Sequence, residues 1–289
     1  MKQYTFISDY KENKELRTSF EALAKRTFGI DFEEWYQRGY WGDAFRPYSF
    51  MDGSSIISNV SVNKMPFTLC GQRKFFIQLG TVMTDVDYRG QGLNRQLIEI
   101  ILKEYKSTCD GIYLLANDRV LDYYPKFGFQ KAVEYQYSKE LKNTGSREAM
   151  IYPLGKKEDY EKIEIIIKKA VKSSLFEMEN SGLILFYLTY FMKNSLYYIR
   201  SLNTYAIAEE REGILFLHQV ISEEEVELDK VIKAFGAGIK KVVLGFVPQN
   251  PGSFEKSILK EEDTTLFVLG EGWEEFKQKG LRFPILSHA

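Results

Sequence analysis

The passage that most limits how this chain can fold runs from residue 74 to 105. "KFFIQLGTVMT" (74–84) is an apolar run suited to a buried strand. "DVDYRGQGLNRQL" (85–97) follows, and from Leu93 onward Leu97, Ile101 and Tyr105, with Ile98 and Leu102 beside them, trace one face of a helix ending near Lys106. Between strand and helix stand Arg89, Gly90, Gln91 and Gly92. A strand that turns through two glycines into an amphipathic helix calls for a sheet with helices packed on it. Glycine lets the backbone turn tightly and lets a ligand approach the N–H groups without a Cβ in the way. The first turn of the helix leaves unpaired donors and a partial positive charge, and Arg89 adds a full one. Such a loop favours an anion, foremost a pyrophosphate; the plain alternative is that the glycines only shape the connection. No Lys-Ser/Thr follows, which excludes a Walker loop, and the third glycine of a dinucleotide fingerprint is missing.

The flanking segments extend the same architecture. Residues 12–28 place Leu16, Phe20, Leu23 and Ala24 at helical spacing, and 32–41 continue as a short helix closed by Gly39. "RPYSFMDGSSIISNVSVN" reads as two strands joined at Asp52-Gly53, and a further strand precedes Gly71. "GIYLLAN" (111–117) is a buried strand, "VLDYYPKF" a short helix and "AVEYQYSKEL" a final strand. The order α-α-β-β-β-α-β-α-β is that of an α/β fold with a mixed sheet. Asn143, Thr144, Gly145 and Ser146 make the best linker, dividing the chain into domains at 1–142 and 147–289. Beyond the linker, a helix (158–174), three strands (195–202, 204–210, 213–221), a helix (223–235) and a strand (240–248) are expected. This half repeats the β-β-α-β order without the glycine-arginine loop, as a degenerate copy of the first fold or as a smaller α/β domain. No second cofactor site is expected in it; its role would be to narrow an acceptor cleft or to provide a homodimer surface. The acidic run at 222–230 reads as a solvated helix face.

A length of 289 residues favours two domains, and 44% hydrophobic with 27% charged residues is an ordinary folded composition. A net charge of −1 gives no reason to expect nucleic acid or an anionic membrane as partner. The longest apolar run, "LILFYLTYFM" (183–192), is too short for a membrane span and reads as a buried helix. Cys70 and Cys109 form neither a disulfide framework nor a metal-ligand spacing, so no metal is expected. The first residues lack an apolar signal core, and a cytoplasmic setting follows as the expectation.

A second motif stands downstream of the loop. "NDRVLDYYPKFGF" holds Asn117, then Tyr124 seven residues later, with Lys126, Gly128 and Phe129. Together the two motifs resemble the GNAT superfamily of acyl-CoA-dependent N-acetyltransferases. Its loop signature, Arg/Gln-x-x-Gly-x-Gly/Ala, is followed from Arg89 to Asn94 except at the last place, where Asn94 replaces a small residue. Its second signature is an asparagine followed seven residues later by the tyrosine of a Phe/Tyr-Tyr-x-Lys-x-Gly-Phe block. The resemblance covers roughly residues 1–140.

The resemblance implies acetyl-CoA as cosubstrate. The backbone around Val82, Met83 and Thr84 would hydrogen-bond the pantetheine arm. The N–H groups of Gly90, Gln91, Gly92, Leu93, Asn94 and Arg95, with Arg89, would hold the pyrophosphate. Asn117 would contact the cofactor near its reactive end, and Tyr124 would serve as general acid toward the departing thiolate, a role suited to a phenol that stays protonated at neutral pH. Packing in an aromatic segment is the alternative for Tyr124; Tyr123 reads as core. A base is harder to place. Some relatives carry a carboxylate on the strand before the loop, where this chain has Phe76 and Gln78. Asp85 and Glu34 are either acceptors reached through water or plain solvated charges. His218 reads as structural and His288 as part of a loose chain end.

In the fold implied, the first two helices and the loop after them border the acceptor cleft. That stretch holds Trp35, Tyr36, Tyr40 and Trp41 among carboxylates, which suits an amine with an apolar body or, equally, an aromatic core under a long loop. The expected activity is direct transfer of an acetyl group to a primary amine of a small molecule or peptide, since neither cysteine falls in a relay motif. The rival reading is a module that holds coenzyme A as a sensor or scaffold without turnover. A third is a partner-binding protein whose cofactor site is lost.

Overall fold

The computed structural model describes residues 3–142, 145–271 and 273–288; of the expected linker, Asn143 and Thr144 lie outside these. The chain opens with β1 (Thr5–Ser8), α1 (Lys14–Phe28), α2 (Glu33–Gln37), β2 (Phe45–Asp52), β3 (Ser55–Leu69) and β4 (Gln72–Thr84). Next come α3 (Leu93–Tyr105), β5 (Gly111–Ala116), β6 (Gln130–Lys131) and β7 (Tyr135–Glu140). The second half contains β8 (Ala149–Ile151), α4 (Lys157–Lys169), β9 (Phe176–Met178), α5 (Ser181–Thr189), β10 (Leu196–Ile199), β11 (Thr204–Arg211) and β12 (Ile214–Ile221). It closes with α6 (Leu228–Lys233), β13 (Lys241–Leu244), β14 (Glu255–Ile258), β15 (Thr265–Leu269) and α7 (Trp273–Gln278). The strand expected before Gly71 is the continuation of β3. The "VLDYYPKF" helix is two short 3-10 turns, Asp118–Val120 and Tyr124–Phe127. The acidic run becomes helical only at Leu228.

The strands form two mixed sheets. One runs β1-β2-β3-β4-β5-β15-β6, with β9 added beside β3; the other runs β8-β10-β11-β12-β13-β7-β14. Apart from β9, the two have the same grammar. In each, the fourth and fifth strands are parallel (β4 with β5, β12 with β13) and every other pair is antiparallel. In each, the sixth strand comes from the other half: β15 sits between β5 and β6, and β7 sits between β13 and β14. The second half therefore repeats the fold of the first strand for strand, and the two halves exchange one strand each. The strand 132–141, expected to finish the first sheet, lies in the second, because β7 continues past β6 into the neighbouring sheet.

Alternation along β3 decides what each face of the first sheet meets. Val60 and Val62 pack with Ile77, Leu79, Ile112 and Leu114 beneath α3, which buries Leu93, Leu97, Ile98 and Ile101 there. The opposite face carries Asn59, Ser61, Asn63, Met65 and Phe67, all buried, because α1 of the same half and residues of the second half pack on it. Phe67 stacks on Phe176 at 4.3 Å and Tyr113 on Phe283 at 3.8 Å. Phe32 stacks on Phe186 of α5 at 5.4 Å, and the Trp35 indole donates to the Gly182 carbonyl at 2.8 Å. Glu134, between β6 and β7, is buried and accepts the Phe283 N–H at 2.7 Å. One apolar cluster thus spans both halves. Among the described residues no helix is long and apolar enough to cross a membrane.

Candidate active site

The first sheet opens where its parallel pair ends. β4 and β5 pair only from Phe76–Gly111 to Gln78–Tyr113; beyond that, β4 runs on to Thr84 with no strand paired to that edge among the described residues. A groove of about 1110 Å³ occupies the gap. Its floor is Leu79 to Thr84 on one side and Leu115 to Asn117 on the other.

A bulge shapes the β4 wall. Asn59 pairs with Met83 and Ser61 with Gly80, so Thr81 and Val82 together oppose Val60. Thr81 has φ +41°, a left-handed value that a β-branched residue adopts only when its surroundings hold it there. A buried polar chain does so. The Asn59 carboxamide donates to the Thr81 carbonyl at 3.0 Å, the Thr81 hydroxyl donates to Ser61, and the Ser49 hydroxyl donates to Asn59 Oδ1 at 2.8 Å. Sequence reasoning missed this network, which is signalled only by Asn59, Ser61 and Asn63 standing at alternate positions of β3.

The loop 85–92 closes one end of the groove. Gly90 and Gly92 have φ of +77° and +74°, so both glycines are required by backbone conformation. Gly92 caps α3 without a side-chain acceptor, leaving the first-turn N–H groups directed out of the helix end. Asn94, in the place of the usual small residue, accepts the Ser58 hydroxyl at 2.6 Å and so ties the start of the helix to β3. Val82, Met83, Thr84, Arg89, Gly90, Gly92, Leu93, Asn94 and Arg95 all line the groove, joined by Arg119 and Lys126. Gln91 does not; its Oε1 accepts the Tyr4 hydroxyl at 2.8 Å.

At the far end lie Asn117 and Tyr124, both in the groove wall. Tyr124 is 5% exposed, with its ring edge-on to Tyr123 and Phe129 and tilted against Phe267 of β15. Burial pushes its phenol above the ordinary value, and its hydroxyl has no hydrogen-bond partner among the described residues. Asn117 Nδ2 donates to Asp263 Oδ2 at 3.0 Å, and the Asp118 N–H donates to Asp263 Oδ1 at 2.7 Å.

Residues 12–132 match the family model for the acetyltransferase (GNAT) domain. This part of the chain is a GNAT domain. Among solved structures the whole chain is similar to a "probable N-acyltransferase" of Enterococcus faecalis, with TM-score 0.60, 14% identity, and 92% of this chain and 72% of that one covered. It is similar also to a GCN5-related N-acetyltransferase of Kribbella flavida (0.56, 14%, 92% and 71%) and to Eis1 of Mycobacterium abscessus (0.51, 11%, 91% and 72%). These likenesses concern the fold and extend over both halves. Among curated proteins none matches the chain.

Beside the groove the GNAT domain shares a second cavity, of about 260 Å³, with the other half of the chain. Ile30, Thr81, Leu115, Asn117 and Asp263 line both cavities. Of the aromatic residues expected at an acceptor cleft, Trp35 lines this chamber. Tyr36 lies under the Arg17 guanidinium at 3.6 Å, Tyr40 packs against Tyr160, and Trp41 is core, donating to the Phe45 carbonyl. Phe186, Phe191, Asp263 and His288, contributed by the second half, had no signal in the sequence. His288 is no loose end: its carbonyl accepts the Tyr187 hydroxyl at 2.6 Å. Burial and nearby Arg282 hold its imidazole neutral, with the pKa lowered to about 3.

The base candidates are elsewhere. Asp85 pairs with Arg26 at 2.8 Å and Glu34 with Arg38 at 2.8 Å, and neither lines either cavity. Gln78 is buried with both amide atoms unpartnered. His218 sits 3.3 Å from Glu209 in the second half, far along the chain from the site. That half has its own gap where β12 and β13 part, a cavity of about 820 Å³, but Ser222 and Glu225 to Asp229 stand at its wall where the first half has its glycine loop. Carboxylates there oppose a phosphate.

Proposed function

We propose that the GNAT domain moves an acetyl group from acetyl-CoA to a primary amine, directly, within a complex that holds both substrates. The observation that carries this reading is the shared wall: Asn117 belongs both to the groove that Tyr124 lines and to a second, aromatic chamber. The free edge of β4 from Leu79 to Thr84 suits the amide-bearing arm of coenzyme A, added as a strand. The loop N–H groups, Arg89, Arg95, Arg119 and Lys126 suit its phosphates. When bound there, acetyl-CoA supplies an acyl group activated as a thioester. The Tyr124 phenol, on a residue that lines the groove, holds its proton through neutral pH, which suits donation to a thiolate. A backbone N–H of the bulged β4 segment is available to polarise a carbonyl. Neither Cys70 nor Cys109 lines the groove or the chamber, which favours direct transfer over a cysteine relay.

The test is titration of the full chain with acetyl-CoA, followed by measurement of free thiol release over a panel of primary amines. Saturable binding and amine-dependent thiol release are expected. Binding without release on any amine would favour a coenzyme A-holding sensor, a reading to which Gln78, in place of a strand carboxylate, lends support. An unmoved melting temperature with acetyl-CoA would reject both.

A further inference from the structure

The two cavities that share a wall have opposite electrostatic character. The groove is lined by Arg89, Arg95, Arg119 and Lys126, whereas the chamber has no lysine or arginine. Asp263 is the one carboxylate among the described residues that lines either cavity, and it lines both. It stands on the turn before β15, so it reaches the GNAT domain from the other half of the chain. Its two oxygens each accept one hydrogen bond, from Asn117 and from the Asp118 backbone, and an ionised carboxylate accepts about four. Capacity therefore remains on this carboxylate, which is exposed at the edge of both cavities. The chamber walls are apolar, with Phe32, Trp35, Phe45, Phe186 and Phe191 among them, and Phe191 is half exposed at the rim. Two further polar atoms of the wall lack partners: Asn63 Nδ2, on a residue 2% exposed, and His288 Nε2. Buried nitrogens without partners are costly unless a ligand or water meets them.

We propose that the acceptor is a primary amine carried on an aromatic or branched apolar body, with its ammonium docked on Asp263 and its body among the chamber's rings; this rests on the acyl-transfer reading above. The cationic groove repels an ammonium and the chamber's lone carboxylate attracts it, so charge sorts the two substrates into their cavities. At about 260 Å³ the chamber falls below the usual range for drug-sized ligands, which suits one ring on a short arm. The Asn63 amide is a donor awaiting an oxygen, so a ring hydroxyl adds affinity. Asp263 is a recognition residue here, holding the amine beside Asn117 at the junction with the groove.

Calorimetry on the full chain, saturated with coenzyme A to prevent turnover, tests this with tyramine, 2-phenylethylamine, 1,4-diaminobutane and 2-phenylethanol. Tyramine and 2-phenylethylamine should bind, tyramine the more tightly, and both about tenfold or more above the diamine and the alcohol. Asp263→Asn should cost the two aryl amines about tenfold while leaving the affinity for the alcohol unchanged. Absence of aryl-amine binding, equal binding of the diamine, or full affinity in Asp263→Asn would each overturn the proposal. Failure of the acyl-transfer reading has a different signature: no thiol release from acetyl-CoA while tyramine still binds in an Asp263-dependent way.

Discussion

A phenol that is buried in a groove wall, with no hydrogen-bond partner among the described residues, has little to do for stability beyond the packing of its ring. Removing the oxygen of Tyr124 should therefore spare the fold and damage the chemistry. Tyr124→Phe is expected to lower the rate of thiol release by about 10²–10⁴-fold, with the melting temperature unchanged within a degree or two of wild type. Steady-state kinetics beside a thermal melt would check it, and a large loss of stability would mean that the hydroxyl is structural. Glu134 presents the opposite case, a titrating group far from the chemistry. Burial, against the opposing pull of the Phe283 N–H and Arg282, raises its carboxyl from 4.5 to about 7. The folded state thus binds a proton that the unfolded state has released. The stabilisation is complete below pH 4.5 and is lost as pH rises through about 7. Glu134→Gln keeps an acceptor for Phe283 and removes the titration, so its melting temperature should gain on wild type between pH 5 and pH 8. A constant difference over that range would show that Glu134 is ionised in the native protein.

At the level of elements, the bulge in β4 depends on a residue of the neighbouring strand. Asn59→Ala leaves the Thr81 carbonyl without its donor and the Ser49 hydroxyl with Tyr10 alone, at a cost of about 1–3 kcal/mol, and frees Thr81 to leave its left-handed conformation. Both a lower melting temperature and weaker acetyl-CoA binding are expected, separable by melting the variant and titrating it well below its transition. Unchanged affinity would mean that the bulge is held by other contacts. The same strand shows what was legible in the sequence. The α/β class, the path from β4 through the glycine loop to α3, and the Asn117–Tyr124 spacing are all written locally, in periodicity and turn chemistry. The burial of Asn59, Ser61 and Asn63 is not. Their alternation with Val60 and Val62 reads as a solvent face, and it takes α1 together with α5 and residues near 283, far along the chain, to make it an interior. β1, β8, β9, β14 and β15 each have three to five residues, too few for an alternating pattern to register, and β15 carries the segment that brings Asp263 to the site. Half of the chamber was therefore invisible, while the groove was largely readable.

For the whole molecule, the strand exchange makes the halves mutually dependent. A fragment ending at residue 142 would keep the loop, Asn117 and Tyr124 but lose β15, leaving β5 with an open edge and Tyr124 without Phe267 against its ring. Such a fragment is expected to lack a cooperative melt and to self-associate, while co-expression with residues 143–289 should restore a 1:1 complex that binds acetyl-CoA. A fragment that folded alone and bound the ligand at full affinity would contradict this. The reciprocal sixth strands carry a further consequence. In an assembly of two separate identical chains, a substitution alters both copies at once, so neither can be relieved of its chemistry. Here each copy is braced by the other yet encoded separately, and the second is free to carry acids in place of a glycine loop while still lending its neighbour a rib and a carboxylate.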